Sequence, residues 1–219
     1  MKIILASKSP RRQELLSHIF TDFEILPAQG DEKAVFTTPE EYVKQLAFDK
    51  AAEIAESFSD HATDNEVYLV IGADTIVYAA SEVLGKPKDP DDAYRMLSIL
   101  SGTSHHVYTG VCCMLISPSS ISSYAYINNF LSVSGSSSTL PDGVKYSSFA
   151  EKTEVFVDHL SPEEIRAYIA SGDPMDKAGS YGIQGDFSKH ITHINGDYFN
   201  VVGLPVSRLY RELKKMNAI

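Results

Sequence analysis

The sequence predicts an α/β fold in which helices pack on one extended sheet, and three observations carry that prediction. Short apolar runs of strand length recur along the chain. Four Ser/Thr/Asp-Pro pairs place helix starts between them, at Ser9-Pro10, Thr38-Pro39, Asp89-Pro90 and Ser161-Pro162. Glycines then stand where two of these helices need a left-handed residue to stop. Separate strands alternating with helices point to α/β or α+β, with antiparallel hairpins in the second half.

The elements follow in order. Residues 2–6 read as a short buried strand. Ser9 offers an N-cap, and Pro10 a first helical residue with suitable φ, for a helix over 10–19. A second strand is predicted at 23–26. Thr38-Pro39-Glu40-Glu41 has the capping-box pattern and opens a long helix over 39–58. The nearly continuous apolar run 67–80 reads as a central strand, or as two strands joined by a tight bend. Asp89-Pro90-Asp91-Asp92 starts a further helix that Gly102 ends at C′. Strands follow at 107–116 and 153–157. Ser161-Pro162-Glu163-Glu164 opens a fourth helix, closed by Gly172, and a last helix follows Pro205. His190 and His193 are assigned to a short strand or hairpin.

Residues 117–148 differ in character. They are serine-rich with few charges and read as a surface insertion joining two strands, with a candidate strand at 124–131 and a flexible tip at 134–138. No repeat or interdomain linker is visible, so residues 1–219 read as one domain carrying this insertion at about 117–148.

Composition narrows the function. The 219 residues are 43% hydrophobic and 22% charged, as in an ordinary globular protein. A formal net charge of -10 argues against a sequence-independent grip on nucleic acid polymers. Yet Lys2, Lys8, Arg11 and Arg12 precede any acidic residue, either as a solvated cluster or as a local pocket for a small anion. No apolar run approaches the roughly 20 residues of a membrane span, and the apolar N-terminus is too short for a signal peptide. Adjacent Cys112 and Cys113 in a strand would point to opposite faces, which disfavours a disulfide. A reduced, cytoplasmic protein is expected.

Two residues break their local pattern. Lys50 falls on the apolar arc that Val43, Leu46, Ala47, Ile54 and Phe58 make on the second helix. There it must snorkel, pair with a carboxylate or meet a bound anion. Asp74 interrupts the central apolar run, where a carboxylate is costly unless paired, hydrogen-bonded or metal-bound. It is either a strand-end Asp bonded to turn amides or an acid at the floor of a cleft. Gly72 beside it would permit a close backbone approach. The loops Gly85-Lys86-Pro87-Lys88-Asp89 and Asp173-Pro174-Met175-Asp176-Lys177-Ala178-Gly179 mix cations with carboxylates. Such loops suit phosphate clamps and metal-binding acids, and equally suit ordinary turns.

Phosphate-binding G-x-x-x-x-G-K-[ST], dinucleotide G-x-G-x-x-G, H-E-x-x-H, paired C-x-x-C and G-x-S-x-G are all absent. An enzyme with these parts would work with Lys, Arg and Asp/Glu. That inventory suits phosphate-ester or anhydride chemistry with a hard divalent cation such as Mg²⁺.

The stretches LASKSPRRQELL, PEEYVKQLAFDKA, VIGADTIV, GKPKDPDDAYRMLSILSGTSHHVYTGV, YIASGDPMDKAGSYGIQG and INGDYFNVVGLPV follow one another in order. Together they closely resemble the Maf family, the septum-formation inhibitor-like nucleotide pyrophosphatases. The resemblance implies an inosine-triphosphate-pyrophosphatase-like fold, an elongated mixed sheet flanked by helices with two lobes around a cleft. It implies hydrolysis of a nucleoside triphosphate to the monophosphate and pyrophosphate with a divalent metal (Mg²⁺ or Mn²⁺), and a homodimer. Asp74-Thr75 and Gly182-Ile183-Gln184-Gly185 are similar to the dTTP/UTP subgroup. By position, Asp74 matches the proton acceptor. Ser9, Arg11, Arg12, Lys50 and Lys86 match the triphosphate-lining positions, with Lys50 and Lys86 counted as catalytic. Arg11, Thr75 and Gln184 match the specificity positions. Glu32 matches a metal ligand beside Asp74. Two rival readings stay open: a pyrophosphatase for other non-canonical nucleotides, and a nucleotide-binding regulator of cell division.

Overall fold

The computed structural model of the protein describes residues 1–30, 34–57, 66–116 and 145–219. Glu32, the candidate strand at 124–131 and the serine-rich segment through residue 144 lie outside the described residues. The described strands are β1 (Lys2–Leu5), β2 (Glu24–Ile25), β3 (Tyr68–Ala79), β4 (Glu82–Leu84), β5 (Ser104–Ile116), β6 (Lys145–Val157) and β7 (Ile191–Asn195). The helices are α1 (Pro10–Leu16), α2 (Pro39–Glu56), α3 (Pro90–Leu100), α4 (Pro162–Ala170), α5 (Tyr198–Val202) and α6 (Val206–Lys215). The strands form one mixed sheet in the order β2-β1-β3-β5-β6-β7, with β4 also paired to β3. β1 is parallel to β2 and β3, and the remaining pairs are antiparallel. The predicted α/β class, with an extended mixed sheet flanked by helices, is the observed one.

The first four predicted helices start at their Pro at the first helical position, and the last starts at Val206, after Pro205. Thr38, Asp89 and Ser161 accept a bond from the amide three residues on. Only Ser161 completes a reciprocal box, with Glu164 accepting from the Ser161 N–H at 2.8 Å. Glu41 pairs instead with Lys44. Gly102 and Gly172 follow α3 and α4 with φ of +68° and +77°, as the C′ reading requires. The first helix stops at Leu16 rather than 19, and the long helix at Glu56 rather than 58.

The predicted strand at 153–157 proves to be the end of a longer one, β6. Its buried positions alternate as Ser147, Phe149, Thr153, Val155 and Val157, with half-buried Glu151 in the same row paired to Arg208. A serine and a glutamate on the inner face hid the period-2 signal. Hairpin β3–β4 turns through Ala80 and Ser81, whose φ values are +48° and +63°. A two-residue turn between twisted strands favours such left-handed residues, normally supplied as Asn-Gly or Gly-Gly, so the sequence carried no hairpin signal here.

Two apolar layers cover the sheet. One face packs Leu15 and Leu16 of α1, Met96, Leu97 and Leu100 of α3, Ile165 of α4, and Leu209 and Leu213 of α6 against Leu69, Ile71 and Val111. The other packs Ala47, Phe48, Ala51 and Ile54 of α2 against Val70, Cys112 and Met114. Two glycines let α2 lie directly on the strands. A Cβ at Gly72 would stand 2.3 Å from the Ala47 carbonyl oxygen, and one at Gly110 would stand 2.0 Å from that of Val43. The close approach anticipated at Gly72 is thus made by a helix of the protein itself.

Candidate active site

The site forms where the sheet is notched. The β1 ladder along β3 ends at Leu5–Ile71, with one more bond from the Ala6 N–H to the Ile71 carbonyl at 2.8 Å. The β4 ladder begins at Val77–Leu84. Between them residues 72–76 of β3 face no described strand on that side. Successive residues of a strand point to opposite faces, so at a bare edge both neighbours reach the same space. Asp74 and Thr75 therefore both line a cavity of about 1070 Å³.

Its walls come from distant segments. Ser7, Lys8, Ser9, Arg11 and Arg12 enter from the β1–α1 turn, Lys50 from α2, and Lys86 from the loop after β4. Asp173, Asp176, Lys177 and Gln184 enter from the turns after α4. Cations outnumber carboxylates on these walls, in a chain whose net charge is -10. All the predicted site residues within the described chain (Ser9, Arg11, Arg12, Lys50, Asp74, Thr75, Lys86 and Gln184) meet in this one cavity.

Lys50 and Asp74 form a close ion pair, with Nζ donating to Oδ1. Their side chains keep 23% and 14% exposure, so the pair is sheltered yet open to the cavity. The glycine contacts under α2 make this possible, because they bring Lys50 down onto the strand that carries Asp74. Of the alternatives left by the sequence, Lys50 takes the carboxylate partner, and Asp74 is cleft-lining rather than bonded to turn amides.

Arg12 donates to three groups among the described residues. Nε donates to the Gly203 carbonyl at 2.9 Å, one terminal nitrogen to Ser7 Oγ at 3.1 Å, and the other to Thr75 Oγ1 at 3.0 Å. Thr75 Oγ1 lies 2.9 Å from Thr109 Oγ1, which donates to the Asn200 carbonyl at 2.9 Å. That last acceptor has no proton, so the chain runs one way: Arg12 to Thr75, Thr75 to Thr109, Thr109 to Asn200. Thr75 has thereby used its only donor and can offer a ligand nothing but a lone pair. Ser7, Thr109, Asn200 and Gly203 were not singled out from the sequence. They were touched only as members of the quoted blocks: Ser7 in LASKSPRRQELL, Thr109 in the block ending VYTGV, and Asn200 and Gly203 in INGDYFNVVGLPV.

Ser9 caps nothing with its side chain, and its N–H donates to Ser7 Oγ at 3.3 Å. Among the described residues, the Lys8, Arg11 and Lys86 side chains make no hydrogen bond or ion pair. The Lys86 loop is tied to the far wall by a bond from the Gly179 N–H to the Gly85 carbonyl at 3.0 Å.

The donor set can be tested against a divalent cation. Asp74 presents a second carboxylate oxygen, Oδ2, that none of the described residues engages, while Oδ1 is held by Lys50. Among the described residues no three His, Cys, Asp or Glu side chains stand together as a cage. The open Asp74 oxygen fits a hard cation that draws its remaining oxygens from a phosphate ligand and water.

A family model described as Maf-like protein matches residues 2–216. A dTTP/UTP pyrophosphatase of Agathobacter rectalis is 47% identical over 222 residues, covering 98% of this chain and 97% of the relative. One of Bacillus cereus is 45% identical over 217 residues, covering 99% and 96%. Among solved structures, the Ham1 protein of Staphylococcus aureus is similar over 97% of this chain and 100% of that one, at 12% identity and a TM-score of 0.44. The chain belongs to the Maf-like protein family.

Proposed function

We propose that the protein hydrolyses dTTP and UTP to the nucleoside monophosphate and pyrophosphate. The observation that carries this is Asp74. Its carboxylate is ion-paired to Lys50 at the bare edge of the sheet, inside a cation-lined cavity that also holds Thr75 and Gln184. The two relatives above, named for that activity and matched over nearly their whole length, support it.

Asp74 takes a proton from a water molecule as its oxygen attacks the α-phosphorus. A P–O bond forms there, the bond to the α–β bridging oxygen breaks, and pyrophosphate leaves with the electron pair. Lys50 holds the Asp74 carboxylate in place through their ion pair. Arg11, Lys86 and Ser9 face the triphosphate and offset the negative charge of the transition state, while Arg12 fixes the turn that presents them. Gln184 can donate and accept at once, which matches the O4 and N3–H edge of uracil or thymine. Thr75 adds only an acceptor.

A divalent cation, Mg²⁺ or Mn²⁺, would be held by Asp74 and, by the family resemblance, Glu32, and would polarise the phosphate oxygens. A homodimer acting in the cytoplasm on free nucleotides, with no nucleic acid polymer as partner, completes the reading. Among the described residues no helix is long and apolar enough to cross a membrane.

The test is pyrophosphate release from dTTP, UTP, ITP and 7-methyl-GTP with Mg²⁺ or Mn²⁺, wild type beside Asp74→Asn. The expected result is turnover of dTTP and UTP that falls about 10³-fold in the variant, the scale of a lost general base. Preference for ITP or 7-methyl-GTP would move the assignment to another nucleotide. No turnover by a folded wild type would favour a binding regulator.

A further inference from the structure

Across the cleft from the arginines, a charged cluster turns inward on itself. Lys177 Nζ donates to the Asp173 carboxylate at 3.0 Å, to the Asp173 carbonyl at 2.6 Å and to the Asp176 carboxylate at 2.7 Å. An ammonium group has three donors, and all three are occupied, so Lys177 is not poised to grip a phosphate. Tyr168 joins the cluster from α4. Its hydroxyl donates to Asp173 Oδ2 at 2.6 Å and accepts from the Gly182 N–H at 3.2 Å.

Burial, and then the bond to Asp173, push the Tyr168 phenol far above its usual range, so it stays a neutral donor. Burial opposes the charge on Asp173, but Tyr168, Lys177 and the nearby Arg11 outweigh it and hold the carboxyl below the usual range.

Gly182 begins a tight turn that carries Gln184. Gly185 N–H donates back to the Gly182 carbonyl at 3.4 Å, with Ile183 and Gln184 between them. Ile183 is buried in the core and Gln184 is exposed in the cavity. The turn rests directly on the cluster, so a side chain at either of its glycines would press on Lys177 or Asp173. A Cβ at Gly182 would stand 2.8 Å from Lys177 Cε, and one at Gly185 would stand 3.3 Å from Asp173 Oδ2.

We infer that Asp173, gripped by Tyr168 and Lys177, is a specificity-positioning residue that fixes the Gly182–Gly185 turn and so sets how far Gln184 reaches toward the base of a bound nucleotide. The inference rests on the proposed recognition of a pyrimidine by Gln184. It assigns Asp173, Lys177 and Tyr168 to substrate selection rather than to phosphate or metal binding.

UTP and CTP differ only at the edge that Gln184 would read, so their relative kcat/KM reports the turn. Tyr168→Phe removes one hydroxyl and keeps the ring that packs on Phe187, with centroids 5.1 Å apart. The expected result is a rise of about tenfold in KM for UTP and an equal fall in UTP-over-CTP preference, with kcat for UTP within about twofold of wild type. Asp173→Asn should act in the same direction. In a Gln184→Ala background, Tyr168→Phe should leave the remaining preference unchanged, because the residue it positions is gone.

Unchanged preference in folded Tyr168→Phe and Asp173→Asn proteins overturns the inference alone. So does a collapse of kcat at constant KM, which would put the cluster on the phosphates. A wild type that prefers neither UTP nor CTP removes the pyrimidine reading itself, and the inference falls with it.

Discussion

Four helices of this protein begin with the same chemistry, and one uses it differently. At α2, α3 and α4 a Thr, Asp or Ser before the proline caps the first turn with its side chain. At α1 the side chain of Ser9 caps nothing and stands in the cavity. The cavity cations divide the same way. Arg12 and Lys177 are bound to protein partners that hold turns in place, whereas Lys8, Arg11 and Lys86 make no such bond among the described residues. The difference separates groups that build the fold from groups that the proposed function places against the triphosphate. Residues that break a local rule without local compensation are where function is to be sought.

The contrast can be broken most strongly at Gly110. Alanine there drives a methyl group into the Val43 carbonyl, which belongs to a helix backbone and cannot swing away. A loss of about 3 kcal/mol in the denaturant-derived stability is expected. Activity should fall further than stability accounts for, since α2 carries Lys50.

A second test uses pH. Burial, then the charge of His106, lower the pKa of His105 from 6.5 to about 4. Its Nε2 lies 2.7 Å from the Tyr181 hydroxyl, behind the Gln184 turn. Below pH 6.5 the unfolded chain gains a proton that the folded chain refuses, so stability falls as pH drops and levels off near pH 4. The expected loss is about 2 kcal/mol between pH 7 and pH 5. The carboxyls of Asp173 and Asp176, which are held low, add to it only near and below 3.8. Thermal melts of wild type and His105→Gln across that range check it, the variant lacking the step.

The smallest effect sharpens the contrast most. Ser161→Ala should cost about 1 kcal/mol of stability and leave kcat/KM unchanged, as loss of a cap does. Ser9→Ala should do the reverse, with stability within about 0.5 kcal/mol and KM for the triphosphate raised severalfold. Paired melts and kinetics on the two variants decide it.

Much of this was legible in the sequence because the information is local. A proline behind a Ser, Thr or Asp names a helix start, and a glycine at C′ names an end. Lys50 and Asp74 stood out for a related reason, each being a charge inside an apolar pattern. Their pairing was not legible, since it depends on Gly72 and Gly110 letting a helix descend onto two strands. The β3–β4 hairpin was hidden because Ala80 and Ser81 take a conformation usually left to glycine. The brace beneath Gln184 was hidden because Asp173 and Lys177 looked like a phosphate-binding loop until their donors and acceptors were seen to satisfy one another. Glu32 rests on the family resemblance alone.

The register of β3 against β5 sets Asp74 opposite Gly110 and Thr75 opposite Thr109. A shift of one residue would turn Asp74 toward Arg12 and Thr75 toward Lys50, exchanging the proposed base with the proposed selector. A point substitution at position 75 can change the proposed selector and leave the proposed base where it stands. Insertions or deletions within either strand cannot. In gene terms, the reading frame of the fold through these two strands is as binding as the reading frame of the message, and descent in this family should vary letters there and never length.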